Sequence, residues 1–135
     1  QGTCTSYKKE LFLAIHDHAV AGDVFKIALY PSSASLSVET TAYTATDEVA
    51  GSGYSAGGET LTNVAPSTAG TSALTSFANL LITASVTARG ALIYNSTKAN
   101  RAVAVLNFGR DIAFTAGKTV TFPSVDATNA ILRVM

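Results

Sequence analysis

Two histidines flank an aspartate at His16-Asp17-His18, the only histidine cluster in the sequence and a set of residue types that could do chemistry. An imidazole beside a carboxylate suggests acid–base work, and two histidines suggest a metal site. The surrounding pattern predicts a helix, on which residues two apart lie roughly 200° around the axis. Such a pair cannot chelate one ion, and no second cluster completes a tetrahedral set. We therefore expect ordinary helix residues and no metal, with a histidine at a subunit contact as the functional alternative.

A nucleophile paired with these histidines is not supported by the sequence either. The groups of a Ser-His-Asp triad converge, whereas adjacent His16 and Asp17 on a helix point apart, and no Gly-x-Ser-x-Gly turn is present. Cys4 lies in a terminal segment that we expect to be mobile, which does not suit a nucleophile. Asp47 and Glu48 are adjacent, so they do not form the separated carboxylate pair of a glycosidase. The sequence predicts a protein that is not an enzyme.

The run GSGYSA at residues 51–56 matches the spacing of a dinucleotide-binding loop. That spacing has meaning only between a strand and a helix, and the next residues, GGETLT at 57–62, do not begin a helix. No lysine follows these glycines as a phosphate-binding loop would require. We therefore expect a flexible loop or tight turn, and no cofactor. The NST run at 95–97 fits a glycosylation acceptor, but we interpret it as a turn because no secretion leader is visible.

The elements that must position these residues are mainly strands. Residues 88–108 contain two apolar runs, 89–94 and 101–108, joined by a polar turn at 95–100, and this pattern predicts a hairpin. Both runs are apolar on both faces, so we expect other layers to cover both sides of the hairpin. Shorter apolar runs predict further strands at residues 24–30, 61–64, 73–78, 80–87, 112–115, 119–122 and 131–134, with a turn at 110–111.

One helix is predicted, at about residues 6–20, with Leu11 and Ile15 on its apolar stripe and Gly22 at its end. The fold class that follows is mainly β: an antiparallel β-sandwich or jelly-roll-like domain with one N-terminal α-helix, occupying residues 1–135 as a single domain. The predicted core consists of apolar residues from these elements: Leu11, Ile15, Phe25, Ile27, Leu29, Leu92, Tyr94, Val103, Val105, Phe108, Val120, Phe122 and Ile131.

Composition narrows the classes of partner. Of the 135 residues, 47% are hydrophobic and only 13% are charged, about half the usual share, and the formal net charge is zero. A nucleic-acid-binding protein needs a basic face, so we expect no nucleic-acid partner. No apolar stretch approaches the length that spans a bilayer, so we expect no membrane partner. The single cysteine excludes an intramolecular disulfide. Low charge leaves little repulsion between copies, which favours association into an assembly.

A series of blocks along the chain resembles small virion proteins encoded by tailed bacteriophages. The resemblance covers nearly the whole chain from Tyr7 onward and rests on the order of the blocks, none of which is a chemical signature. The blocks are FKIALY at 25–30, TAY at 41–43, EV at 48–49, GYSAGG at 53–58, TARGALIYN at 87–95, AVAVLNFG at 102–109 and AILR at 130–133.

The resemblance implies a structural component of the phage particle, made in the host cytoplasm and most similar to a capsid decoration, or cement, protein on the capsid surface. Its implied partners are the major capsid protein and neighbouring copies of itself in a homo-oligomer. A tail, tail-tip or fibre-associated protein that contacts other tail proteins or the host surface is the alternative. Tyrosine is favoured at interfaces, and long Gly-rich loops suit contacts between subunits. We therefore expect interface residues at Tyr43, Gly53, Tyr54, Gly57 and Gly58.

Overall fold

The computed structural model describes residues 2–123 and 130–134, which form one short helix and antiparallel strands. The described part of the chain is therefore mainly β. In chain order the elements are β1 (Gly2–Thr3), α1 (Thr5–Phe12), β2 (Phe25–Tyr30), β3 (Glu59–Thr60), β4 (Asn63–Ala69), β5 (Ser72–Phe77), β6 (Leu80–Ile82), β7 (Thr87–Asn95), β8 (Arg101–Ala113), β9 (Lys118–Val120) and β10 (Leu132–Val134).

The main sheet has the strand order β1-β8-β7-β2-β3, with the predicted hairpin of β7 and β8 at its centre. The hairpin is confirmed, since Leu92 pairs with Val105 and both side chains are buried. The turn predicted at residues 110–111 is wrong, because β8 continues to Ala113. Gly109 has a φ of 75°, and a shift in the pairing register occurs beside it. This glycine acts as a bulge that bends the strand, although the sequence alone suggested that the strand ended there.

Two smaller sheets, β10-β5-β4 and β6-β9, complete the described fold. Aromatic side chains connect the first of them to the main sheet. The ring of Phe77 in β5 lies 5.5 Å from that of Phe25 in β2 and 5.6 Å from that of Phe122. Because all three rings are buried, this contact joins the sheets through one continuous apolar core.

The helix predicted at about residues 6–20 is wrong in its second half, because α1 ends at Phe12. Ala14 has a φ of 52°, which no helix residue adopts. Beyond it, side chains bond to nearby backbone: Asp17 Oδ1 accepts the N–H of Ala19 at 2.9 Å, and Asp23 Oδ2 accepts the N–H of Asp17 at 2.9 Å. Short polar side chains that satisfy local backbone groups in this way compete with the helix.

Most of the predicted core is confirmed. Eight of the thirteen residues are buried: Phe25, Ile27, Leu29, Leu92, Tyr94, Val103, Val105 and Phe122. The other five are only partly buried: Leu11, Ile15, Phe108, Val120 and Ile131.

The expectation of a mobile segment around Cys4 is wrong. Cys4 is fully buried, and its N–H donates to the carbonyl of Val103 at 2.9 Å. The pairing of β1 with β8 therefore ties the described start of the chain to the main sheet.

Candidate functional site

The five residues predicted at an interface lie in the long connection between β2 and β3, and four of them meet in one polar cluster or beside it. We call Tyr43, Glu48, Tyr54, Gly57 and Tyr94 the tyrosine–glutamate cluster. The two hydroxyls of Tyr43 and Tyr54 each donate to a different oxygen of the Glu48 carboxylate at 2.6 Å. The N–H of Gly57 donates to both oxygens, at 2.9 and 3.1 Å. One carboxylate thus accepts hydrogen bonds from three residues of the connection between β2 and β3.

Further contacts fasten this cluster to the main sheet. The Tyr94 hydroxyl donates to the Gly57 carbonyl at 2.6 Å, and its ring stacks on Tyr43 with centroids 4.7 Å apart. The Tyr54 hydroxyl also accepts the N–H of Leu29 at 2.8 Å. Burial, followed by the bond to Glu48, raises the pKa of Tyr43 to about 12 and that of Tyr54 further still. These hydroxyls therefore remain protonated donors at neutral pH.

The glycines beside the cluster are required by close backbone approach. Gly58 has a φ of 71°, and a Cβ there would lie 1.9 Å from the carbonyl oxygen of Ile27. Gly57 and Gly58 are buried, whereas Gly53 is exposed with a φ of 82°. The run at residues 51–56 is followed by β3 and no helix, which confirms that it is a loop. Contact of these residues with neighbouring subunits stays a prediction.

A second polar cluster, the histidine cluster, consists of Tyr7, Glu10, His16, His18, Asp23 and Asn95. The expectation that the histidines are ordinary helix residues is wrong, because both lie in the loop after α1. The separation expected on a helix therefore does not apply, and their rings lie 6.5 Å apart. The side chain of His16 is fully buried, with Nε2 2.7 Å from Glu10 Oε2 and Nδ1 2.9 Å from Asn95 Nδ2.

Charged neighbours stabilise the two carboxylates of this cluster. Arg101 donates to Glu10 Oε1 at 2.6 Å, and Lys98 lies 3.7 Å from Asp23 Oδ1. Burial alone would raise the pKa of Glu10, but the hydrogen bonds from His16 and Arg101 outweigh it and hold the pKa below its ordinary value. The pKa of Asp23 is likewise lowered against the effect of burial, chiefly by the N–H of Asp17 and the amide of Asn95.

His18 completes the histidine cluster on its apolar side. Its Nε2 lies 2.7 Å from the Tyr7 hydroxyl, and its ring stacks on Phe25 with centroids 4.4 Å apart. Burial lowers the pKa of His18 to about 4, and the neighbouring His16 adds to the effect. The ring is therefore neutral at neutral pH.

An apolar groove of about 650 Å³ lies between α1 and the sheet β10-β5-β4. It is lined mainly by apolar side chains, among them Leu11, Phe12, Pro66, Leu74, Leu132 and Val134. Phe12 on its rim is 91% exposed, and Val134 is 54% exposed. Burial of such side chains against another surface is favourable, so the groove is suited to hold a partner.

Some residues of these two clusters were predicted from the sequence, and others were missed. The turn predicted at residues 95–97 is confirmed, because Asn95 Oδ1 accepts the N–H groups of Thr97 and Lys98 at 3.1 Å each. The roles of Glu48 and Glu10 were missed, since no local pattern marks a carboxylate whose partners are supplied by other loops. No sequence pattern marked Phe12 as an exposed residue on the rim of the groove.

Comparison with protein families, with curated proteins and with solved structures returned no match. Among residues 2–123 and 130–134, no helix is long and apolar enough to cross a bilayer. Within the same ranges, no group of three or more His, Cys, Asp or Glu residues could hold a metal ion.

Proposed function

We propose that this chain is a non-catalytic structural protein of a tailed-bacteriophage particle, which binds the outer surface of the major capsid lattice and stabilises it. The observation that carries the proposal is the exposed apolar groove beside α1, together with the resemblance of the chain to small virion proteins. A protein that binds only the assembled lattice shifts the equilibrium toward assembly by mass action.

The groove is suited to a contact that is repeated many times. Phe12 projects from its rim, and an aromatic side chain buries roughly 150–250 Å² when it is covered. At about 25 cal/mol per Å², this one side chain contributes about 4–6 kcal/mol of gross burial energy. In solution, the loss of translational and rotational freedom on association offsets much of this burial energy. Copies linked in a symmetric lattice bind with avidity, because each further contact is made within the same assembly. We place the capsid-binding face at the groove for this reason.

We infer that the sheets stack as a β-sandwich, with a jelly-roll-like arrangement as the alternative. The buried rings of Phe25, Phe77 and Phe122 support this, because they lie between strands of different sheets. A stacked scaffold of this kind places its connecting loops at its two ends.

The two polar clusters support a structural role for these loops. The Glu48 carboxylate accepts three donors, and the His16 ring is held by Glu10 and Asn95, so these groups fix loop shape. We propose that the connection from β2 to β3 contacts neighbouring copies of the chain in a homo-oligomer. Its exposed surface, which includes Gly53, is shaped by the tyrosine–glutamate cluster beneath it.

The test uses virions purified from the phage that encodes the chain. Quantifying the chain against the major capsid protein on a gel distinguishes the two locations in the particle. Decoration of the lattice predicts a copy number comparable to that of the capsid protein, whereas a tail or fibre role predicts only a few copies. Absence of the chain from purified virions would overturn both.

A further inference from the structure

The two histidines of the chain lie in one loop, residues 13–24, which connects α1 to the first central strand of the main sheet. We call this segment the histidine loop. His16 is held through both ring nitrogens, and His18 has contacts that suit only the neutral ring, whatever the function of the chain.

The hydrogen bonds of His16 assign its proton to Nε2. Its Nδ1 faces the amide nitrogen of Asn95 at 2.9 Å, and that amide cannot be reversed because its oxygen already accepts the N–H groups of Thr97 and Lys98. Nδ1 therefore accepts and Nε2 donates to Glu10. A second proton on Nδ1 would point at an amide hydrogen and break the contact with Asn95.

The surroundings of His18 oppose a second proton still more strongly. Nε2 is paired with the Tyr7 hydroxyl, but Nδ1 is buried without a hydrogen-bond partner among the described residues. A protonated ring would place a charged N–H donor with no acceptor in an apolar site formed by Phe25 and Phe77. Burial accordingly lowers the pKa of His18 from 6.5 to about 4.

Tyr7 of α1 is hydrogen-bonded to His18, and the charges of His16, Asp17 and Asp23 in the loop act on its ring. Lys8 of α1 and Arg133 of β10 line the same groove as His18, and Glu10 of α1 bonds to the neighbouring His16. The two aspartates favour a charged ring, but they also hold the loop backbone and are outweighed by burial and by His16. In the closed loop, against the effect of burial, the hydrogen bonds from His16 and Arg101 lower the pKa of Glu10, and those from the Asp17 N–H and Asn95 lower the pKa of Asp23, so both carboxylates are ionised at neutral pH.

We propose that the histidine loop is an acid-released latch: uptake of one solvent proton by His18 frees the loop from the main sheet while the β7–β8 hairpin stays folded. The hairpin keeps its structure because its centre is apolar and does not titrate, as Leu92, Ile93 and Val103 illustrate. The freed loop uncovers the aromatic side chains beneath it, of which Phe25 and Tyr7 are fully buried in the closed form.

The sign of the pH dependence follows from His18. Above pH 6.5 the ring is neutral in both the closed and the released form, so pH has no effect. Below that value the released ring binds a proton, and the closed ring does not until about pH 4. Across this interval the ratio of released to closed loop rises by up to roughly 300-fold from His18 alone.

The experiment is an NMR titration of the isotope-labelled full chain between about pH 7 and about pH 4, the interval in which a histidine changes its charge. The backbone signals of residues 13–24 should move to random-coil positions while those of Leu92 and Val105 keep their folded positions. The ring signals of His18 should change together with the loop. The proposal is overturned if loop and hairpin change in one transition, if the loop stays folded throughout, or if His18 titrates at its ordinary pKa in a folded loop.

The variant His18→Gln tests whether His18 sets the pH at which the loop is released. His18→Gln keeps an acceptor for the Tyr7 hydroxyl but cannot be charged, so release of the loop should shift to lower pH. Lys118→Gln removes an exposed cation elsewhere and should leave the release unchanged. An unchanged release pH in folded His18→Gln would contradict the latch. If that variant does not fold, the ring signals of His18 in the parent chain decide the question.

Discussion

Replacing Glu48 by alanine should destabilise the protein by about 3 kcal/mol, because this one carboxylate holds three donors. Tyr43, Tyr54 and Gly57 all donate to it at 2.6 to 2.9 Å. A hydrogen bond to a charged group contributes about 1.5–3 kcal/mol, and three such bonds to one acceptor are not additive. Water can reach part of the half-buried site once the carboxylate is gone, which limits the loss.

The assay is urea denaturation at neutral pH, followed by circular dichroism, with the free energy of unfolding obtained by linear extrapolation. Glu48→Gln keeps one acceptor oxygen and should lose about half as much stability as Glu48→Ala. The matched control is Asp47→Asn, which removes the adjacent exposed charge. Asparagine tolerates the φ of 62° at this position, so the control should change stability by less than about 0.5 kcal/mol. A loss for Glu48→Ala no larger than that of the control would refute the role assigned to the cluster.

Three further predictions concern other parts of the molecule. Gly58→Ala should cost more than about 3 kcal/mol on denaturation, since its Cβ would meet the Ile27 carbonyl, whereas Gly70→Ala, with open space around it, should cost about 1 kcal/mol. Burial raises the pKa of the Cys4 thiol to about 11, so a thiol reagent should label it only as fast as the protein opens. Phe12→Ser should leave the denaturation midpoint unchanged but abolish rebinding to particles stripped of the chain, and retained rebinding would place the contact elsewhere.

The parts of the fold that could be predicted are those in which the pattern is local. The β7–β8 hairpin was predicted because its two strands are apolar on both faces and are joined by a turn whose Asn95 bonds to its own backbone. The end of β8 was not, because a glycine at positive φ forms a bulge as readily as a turn, and only the pairing of Ala88 with Ile112 decides between them.

The helix and the site were harder to predict because distant residues decide them. The pattern of residues 13–20 is compatible with a helix, but Asn95, 79 residues along the chain from His16, holds that ring in a loop. Glu48 lies in a segment with no periodicity, and its contacts depend on how the connection between β2 and β3 folds back on itself. The tyrosines and glycines of that connection were predicted to contact neighbouring subunits, which stays a prediction. The sequence did not reveal that they bind one carboxylate.

The most direct test of the central proposal, that this chain docks on a capsid lattice through the groove beside α1, is a cryo-electron-microscopy reconstruction of particles that carry the chain. We expect density for the β-rich domain on the outer surface of the capsid, with Phe12 and Val134 facing the lattice. Density for the chain at the tail, or on the capsid with the groove facing solvent, would contradict it.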